Sequence, residues 1–252
     1  HVPEQADAAD RDGIEALLER HGSLVVKPAR GEQGRGIAVG LTTMEEIEAA
    51  RAEAARLSDR VLVEEEVSGS DLRLIVIDYR VVAAAVRRPA AVVGDGRSTV
   101  AELIEAQSRR RAAATAGESR IPLDAETERA LASAGVGYET VPEAGTEIVV
   151  RKTANLHTGG TIHDVTAETH PALLDAAVRA ARAIEIPVTG IDLLVPSVSA
   201  ADYRFIEANE RPGLANHEPQ PTAERFIDLL FPLSVPQAVR AAGRRSSREG
   251  PA

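Results

Sequence analysis

The sequence of 252 residues contains no cysteine and no tryptophan, and it has only one methionine, three phenylalanines and three tyrosines. The lack of cysteine excludes disulfides, thiolate nucleophiles and thiolate metal ligands, and it agrees with a cytoplasmic location. No apolar run approaches the roughly 18 residues that a membrane helix requires, and the first residues carry no basic or apolar signal segment. We therefore expect a cytoplasmic protein that has no membrane partner.

Acidic residues outnumber basic residues. The formal net charge is −10, from 29 lysines and arginines against 39 aspartates and glutamates. A general nucleic-acid-binding surface requires the opposite balance, so we expect no nucleic-acid partner. A local basic pocket for a small anion remains compatible with this composition.

Lysine and asparagine are also scarce. Of the 29 basic residues only Lys27 and Lys152 are lysine, and asparagine occurs only at positions 155, 209 and 216. This usage is typical of a coding bias that replaces lysine by arginine. A lysine or asparagine that persists under such a bias is a candidate for a chemically required residue.

Helix and strand patterns alternate along most of the chain. Apolar spacing predicts helices over residues 12–21, after Thr43, after Thr99, after Pro171 and over 222–230, the second and third with a capping box. β-Branched runs predict eight strands, at residues 23–27, 37–41, 61–64, 72–77, 81–86, 148–152, 190–195 and 203–208. Residues 112–146 have weak periodicity and give no clear prediction.

This order of elements predicts an α+β protein with two lobes. We place a small lobe at residues 3–67 and a larger, sheet-rich lobe at residues 68–232. The C-terminal tail, residues 233–252, is predicted to be disordered.

A lysine precedes a glycine-rich loop in the small lobe. Lys27 ends a predicted strand, and glycines follow at positions 31, 34 and 36. A compact cation beside backbone N–H groups is suited to phosphate oxygens, although the lysine comes before the loop and not after it as in a P-loop. The alternative is a hairpin turn in which the glycines serve only the geometry.

Three oxygen-bearing side chains lie on two consecutive strands of the larger lobe. Asp192 lies on the first strand, and Glu207 and Asn209 lie on the second with the i, i+2 spacing that places both on one face. Carboxylate and amide oxygens suit Mg²⁺, whereas the alternative is a solvated strand face. We expect Ile206 and Ala208 on the opposite, buried face.

Two further segments give weaker signals. Residues 64–66 are three consecutive glutamates at a strand end, a pattern that is usually exposed to solvent. Residues 151–160 contain two cations, an asparagine and a glycine pair, which suit an anionic substrate, or alternatively the rim of a hairpin. The sequence has no GxSxG motif, so an acyl-enzyme mechanism has little support.

In this order, the segments resemble the ATP-grasp superfamily, and within it the cyanophycin synthetase-like branch. The resemblance covers roughly residues 23–232. The motifs that carry it are Lys27-Pro28, Glu64 to Arg73, Val92 to Gly96, Thr153 to Gly160, Asp164-Val165-Thr166, Gly190-Ile191-Asp192, and Glu207-x-Asn209-x-x-Pro212-Gly213.

The resemblance implies an ATP-grasp fold of two α+β lobes with ATP bound between them, together with Mg²⁺ or Mn²⁺. It implies roles for thirteen residues. The implied nucleotide contacts are Lys27 and the loop glycines Gly31, Gly34 and Gly36 at the phosphates, Glu64 and Val67 at adenine, and Asp71 at the ribose. The implied metal ligands are Asp192, Glu207 and Asn209. Arg87, Arg151 and Asn155 are implied to steady the transferred phosphoryl group, and His217 matches a family histidine without an assigned role.

The implied activity is an ADP-forming ligation of a small carboxylate and an amine, both derived from amino acids. The segment from Asn209 to Pro219 resembles that of N-acetylglutaminylglutamine synthetases, while cyanophycin-type or glutathione-type ligation and a non-catalytic nucleotide-binding module remain alternatives. Because the only methionine is Met44 and an upstream phosphate-binding lysine is missing, we expect a fragment that lacks an upstream domain. Assembly as a homo-oligomer is left open.

Overall fold

The computed structural model describes residues 1–29, 36–214, 217 and 219–233. In chain order the helices and strands are β1 (Gln5–Asp7), α1 (Arg11–His21), β2 (Leu24–Pro28), β3 (Ala38–Leu41), α2 (Met44–Ala54), β4 (Val61–Glu65), β5 (Ser70–Ile77), β6 (Arg80–Arg88), β7 (Ala91–Val93), α3 (Val100–Ala114), α4 (Ala125–Ser133), β8 (Glu147–Val149), β9 (Thr161–Asp164), α5 (Pro171–Ala183), β10 (Val188–Val195), β11 (Arg204–Asn209) and α6 (Thr222–Leu230).

The first 65 residues form a four-stranded antiparallel sheet with the order β1-β4-β2-β3 and two helices. Both helix boundaries follow local rules. Gly22 ends α1 in the left-handed conformation (φ 76°) with its N–H bonded to the carbonyl of Leu18, and α2 begins with the predicted capping box of Thr43 and Glu46. The helices bury one face of the sheet, at Leu24, Val26 and Val63, so the alternating residues of the strands lie on the other face.

A five-stranded antiparallel sheet with the order β11-β10-β5-β6-β9 forms the second lobe. One face packs against α5, through a core of ten buried residues that includes Leu72, Leu74 and Ile191. The other face is divided. Ile75 and Ile77 pack under α6, whereas the residues nearer the start of β5 on that face are charged.

Residues 90–150, which we call the insert subdomain, have a core of their own. β7 and β8 pair as a two-stranded sheet, and their buried residues pack with α3 and α4. The subdomain includes residues 112–146, whose weak periodicity allows no clear prediction. The division into a small lobe (3–67) and a large lobe (68–232) stays our proposal; the insert subdomain is a third packing unit within it.

The motif from Val92 to Gly96 is explained by this subdomain. The N–H of Gly94 donates to the carbonyl of Thr146, and a Cβ at Gly94 would lie 2.3 Å from the carbonyl oxygen of Glu143. Asp95 accepts hydrogen bonds from the backbone of the next turn, just before α3 begins. The motif is therefore a tight turn that a side chain at position 94 would not allow.

Several sequence predictions fall outside the described residues. Those are Gly31, Gly34 and nearly all of the predicted tail, of which only Leu233 is described. Within the described part of the chain, no helix combines the length and apolarity needed to cross a bilayer.

Candidate active site

Lys27 lies on the face of the small-lobe sheet that the helices leave free. Its Nζ is 2.7 Å from Oε2 of Glu64, and Oε1 of Glu64 accepts a hydrogen bond of 2.7 Å from the Gln5 side chain. The pairing Val25↔Glu64 places Lys27 and Glu64 on the same face of neighbouring strands. Glu64 is only 4% exposed and the Lys27 side chain 18%, so this pair is partly withdrawn from water.

The other predicted nucleotide contacts of the small lobe are less defined. Gly36 has φ 75°, a left-handed conformation that favours glycine, at the end of the glycine-rich loop. Val67 is half-buried just after β4. Their contacts with a nucleotide remain predictions.

The predicted metal ligands are brought together by the register of β10 and β11. Asp192 is the direct partner of Glu207, and Gly190 is the partner of Asn209. The Asn209 side chain donates a 3.0 Å hydrogen bond to Glu207, which confirms that the two lie on one face. The expectation that Ala208 is buried was wrong: it is exposed and Ile206 is only half-buried, because β11 is the edge strand of its sheet.

Two arginines from the next strands hold Asp192. Nε and Nη2 of Arg73 donate to its two oxygens at 2.7 and 2.6 Å, and Nη2 of Arg87 donates to Oδ2 at 2.8 Å. Arg87 also binds Asp71 through both oxygens. Charged side chains therefore lie side by side across β11, β10, β5 and β6, and we call Asp71, Arg73, Arg87, Asp192 and Glu207 the charged network.

The network shifts the pKa of its carboxylates in opposite directions. Burial opposes ionisation of Asp192, which is 2% exposed, but the hydrogen bonds of Arg73 and the charge of Arg87 outweigh it and lower its pKa. Desolvation, and then the charge of Asp192, raise the pKa of Glu207. Glu207 is thus the poorly compensated carboxylate, on the β11 side of the network.

That imbalance fits a divalent cation. Oδ1 of Asp192 accepts one hydrogen bond, so it retains a lone pair, and the Glu207 side chain is 54% exposed. No group of three or more His, Cys, Asp or Glu side chains gathers as a metal site in the described ranges. The proposed ligand set differs from such a group because its third member is an amide, that of Asn209, an oxygen donor suited to Mg²⁺.

Asp71 lies within the network. Burial, offset in part by Arg87, raises its pKa to about 6. Its carboxylate accepts hydrogen bonds from Arg87, so in the predicted contact with a ribose the same carboxylate would accept from both Arg87 and the ribose hydroxyl. That role remains a prediction.

The three residues predicted to steady the phosphoryl group lie in three different environments. Arg87 belongs to the charged network. Arg151 is 4% exposed and its guanidinium binds Asp124 and Glu126 in the insert subdomain, so its present contacts are structural. Asn155 accepts a hydrogen bond from the backbone N–H of His157 and so shapes its own loop. The predicted substrate roles of Arg151 and Asn155 are not tested by these contacts.

Arg73 and His217 have no role predicted from the sequence. Arg73 shares a strand face with Asp71, and this i, i+2 spacing is the signal that was available. His217 is 4% exposed, and its Nδ1 has no hydrogen-bond partner among the described residues. Burial, and then the charges of Arg73 and Arg87, lower its pKa to about 4, so the imidazole is neutral.

No protein-family model matches the chain. It is 36% identical over 236 residues to a cyanophycin synthetase of Trichormus variabilis, an alignment that covers 88% of this chain and 26% of the synthetase. A bifunctional glutathione synthetase from Pasteurella multocida matches with a TM-score of 0.57 and 26% identity, over 92% of this chain and 34% of that chain. The ATP-grasp ligase PsnB, solved with a phosphomimetic variant of its minimal precursor, Mg and ADP, matches with a TM-score of 0.50 and 17% identity, over 91% of this chain and 52% of that one.

The chain thus spans about a quarter of the length of the cyanophycin synthetase. The likeness to PsnB concerns the fold alone, and it confirms the predicted α+β architecture. The 36% identity to the cyanophycin synthetase, together with the 26% identity to the glutathione synthetase, confirms the predicted resemblance to the ATP-grasp superfamily and to its cyanophycin synthetase-like branch.

Proposed function

We propose that the chain is the nucleotide-binding catalytic part of an ATP-dependent ligase that joins a carboxylate to an amine. The observation that carries this proposal is the register pair Asp192↔Glu207, with Asn209 beside it and two arginines behind it. This set offers oxygen ligands and positive charge but no nucleophile. It suits a reaction that needs positioning and charge neutralisation rather than a covalent enzyme intermediate.

The reaction has two steps. An oxygen of the substrate carboxylate attacks the γ-phosphorus of ATP, and ADP leaves, which gives an acyl phosphate. The amine nitrogen then attacks the acyl carbon, phosphate leaves with the C–O electron pair, and the nitrogen loses a proton to form the amide. Water must be kept out in between, because it would hydrolyse the acyl phosphate.

Each part of the site has a task in this scheme. Lys27 binds phosphate oxygens by exchanging its contact with Glu64 for the nucleotide. Arg73 and Arg87 fix Asp192 and supply positive charge beside the reacting groups. Asp192, Glu207 and Asn209 would hold Mg²⁺ or Mn²⁺, which when bound neutralises charge on the phosphates.

We propose amino-acid-derived substrates for both partners. Among the finer assignments, N-acetylglutaminylglutamine synthesis is supported by the segment from Asn209 to Pro219, of which residues 215, 216 and 218 lie outside the described part of the chain. Cyanophycin-type and glutathione-type ligation are supported by the named relatives. These three hypotheses differ only in the substrate pair, so one panel separates them.

The rival from another class is a nucleotide-binding module without catalysis. It predicts that the metal-ligand positions need not all be retained. The presence of Asp192, Glu207 and Asn209 on one face of the paired strands β10 and β11 favours the ligase.

The test is release of ADP from ATP and Mg²⁺ in a panel of amino acids, with and without glutamine and glutamyl compounds. The ligase predicts ADP release that requires both a carboxylate and an amine, and an amide product by mass spectrometry. Glu210→Ala is the matched control for Glu207→Ala, because Glu210 is an exposed neighbour just after β11. Tight MgADP binding without turnover in any combination would support the non-catalytic module instead.

A further inference from the structure

Arg111 lies in the last turn of α3, in the insert subdomain, and it is half-buried. Its Nε donates to Oγ of Ser119 at 3.0 Å, and its Nη2 donates to the carbonyl oxygen of Gly160. The Ser119 hydroxyl in turn donates to the carbonyl oxygen of Leu156. One guanidinium therefore holds both ends of the segment 156–160, directly and through a serine.

Both of its acceptors are neutral oxygens. Burial lowers the pKa of Arg111, and no carboxylate offsets the loss of hydration. Burying a cation with only neutral partners costs desolvation free energy. Arginine, unlike lysine, has a planar guanidinium whose donors point in fixed directions and can therefore hold two acceptors in a defined geometry.

The loop that Arg111 holds, residues 153–160, is closely packed on two sides. A Cβ at Gly159 would lie 2.4 Å from Cγ1 of Ile121 in the insert subdomain. A Cβ at Gly160 would lie 2.8 Å from the carbonyl oxygen of Asn155 and 2.9 Å from that of Arg88 in β6. The glycine pair therefore lets the loop contact the insert subdomain and β6 simultaneously.

The loop leads directly into the charged network. β9 begins at Thr161, the partner of Arg88, and Ile162 is the partner of Arg87. A shift of Gly160 would therefore be passed to β9 and to the strand that carries Arg87. Asn155, whose carbonyl accepts the Gly160 N–H at 2.8 Å, would move with it.

We propose that Arg111 is a positioning residue, which fixes the 153–160 loop against β6 and thereby sets the place of the substrate carboxylate. The proposal rests on the proposed ligase function. It assigns a catalytic purpose to the insert subdomain, which contributes no residue to the charged network itself. Arg111 acts through the loop and does not contact substrate.

The test compares Arg111→Met and Arg111→Lys in the full chain with Arg110→Met, the matched control on an exposed neighbouring residue. Hydrogen exchange read by mass spectrometry over residues 155–160 reports the anchoring. Calorimetric titration with MgADP reports the nucleotide site, and ADP release in the amino-acid and glutamyl panel gives kcat and KM.

For Arg111→Met we expect at least a tenfold faster exchange in the loop and at least a tenfold higher KM for the carboxylate substrate. The Kd for MgADP should stay within twofold of wild type, because Lys27 and Glu64 lie in the other lobe and both oxygens of Asp192 remain bound by Arg73. Arg111→Lys should fall between Arg111→Met and wild type, and Arg110→Met should match wild type.

Unchanged exchange in Arg111→Met, or unchanged KM where the wild type turns over, would overturn this proposal alone. Weaker MgADP binding in proportion to the loss of turnover would also overturn it, since that pattern indicates a general structural role. If the wild type releases no ADP with any pair in the panel, the proposed function fails first and the role of Arg111 falls with it.

Discussion

The chain carries two polar sheet faces that are built differently. On the small-lobe sheet, one cation, Lys27, has one carboxylate partner, Glu64, which Gln5 steadies. On the five-stranded sheet, two arginines and three carboxylates are spread over four strands, and one of the carboxylates, Asp192, has both oxygens engaged.

This difference bears on how each face can take a ligand. A single lysine with three rotatable donors can turn from Glu64 to a phosphate without disturbing the backbone. Guanidiniums bound bidentately to carboxylates are fixed in place, so we expect the charged network to be a rigid frame that takes a cation at its open edge, beside Glu207. We expect the small-lobe face to exchange the partner of Lys27, and the charged network to keep its ion pairs.

The strongest test of the rigid frame is Asp192→Asn. Removing this charge leaves two partly buried guanidiniums undercompensated, and breaking a buried pair in this way costs about 3–5 kcal/mol. We expect a fall of that size in the free energy of unfolding, measured by urea denaturation. Asp175→Asn, an exposed position on α5, serves as the control and should change it by less than about 0.5 kcal/mol. If Asp192→Asn lowers the free energy of unfolding no more than Asp175→Asn does, the charged network does not stabilise the fold as a rigid frame.

Glu207→Ala tests the open edge of the same face. Glu207 is 54% exposed and its pKa is raised, so its removal should cost little stability. Turnover should fall about 10³-fold, or about 4 kcal/mol at the transition state, because a ligand of the phosphate-bridging ion is lost. Stability and ADP release are measured on one preparation, with Glu210→Ala as the control. Normal turnover in Glu207→Ala would show that Glu207 is not a metal ligand.

Much of the fold could be predicted because the signals were local. The capping boxes at Thr43 and Thr99 and the cap at Gly22 define helix ends that the structure confirms. β1, β7 and β9 have three or four residues and were missed, whereas the equally short β3 and β8 were predicted from their β-branched runs, so detection of such short strands is uneven. The core of the insert subdomain was missed because it comes from the packing of α4 with distant strands.

The candidate site was predicted where its residues lie on one strand or on two consecutive strands, and it was missed where strands far apart in the sequence pair. Glu207 and Asn209 follow from i, i+2 spacing. The bonds from Arg73 to Asp192 join residues 119 positions apart, and only the pairing of β5 with β10 reveals them. The contacts of Arg151 with Asp124 and Glu126, at the cap and in the first turn of α4, were likewise not predicted, and its role toward a substrate stays a prediction.

His217 gives a test by pH, since it is buried beside the charged network. Its pKa falls from 6.5 to about 4 on folding, so the unfolded chain binds more protons between these values. Its contribution to stability is therefore full above pH 6.5 and is lost as the pH falls to 4, by about 3 kcal/mol in all. Asp71, whose pKa is raised to about 6, has the opposite slope, so wild type alone does not isolate the effect.

The measurement is the difference in unfolding free energy between wild type and His217→Asn from pH 7 to pH 4. Wild type should lose about 3 kcal/mol relative to the variant over this range. A difference that is flat with pH would mean that the imidazole is not held neutral.

Lys27→Arg tests the exchangeable face, where the smallest effect is expected. The chain prefers arginine at 27 of its 29 basic positions, and yet lysine stands here. Arginine keeps the charge, so the contact with Glu64 should survive and the unfolding free energy should change by less than about 1 kcal/mol. A planar guanidinium, however, prefers to stay bidentate on that carboxylate and does not turn its donors toward a phosphate as an ammonium does. We therefore expect weaker MgATP binding and turnover reduced about 10²-fold, similar to the loss of one preorganised donor.

Arg56→Lys, an exposed position after α2, is the reciprocal control and should leave MgATP binding and turnover unchanged. If Lys27→Arg binds MgATP and turns over like wild type, the lysine is not chemically required, and the small-lobe face does not depend on exchange of its partner.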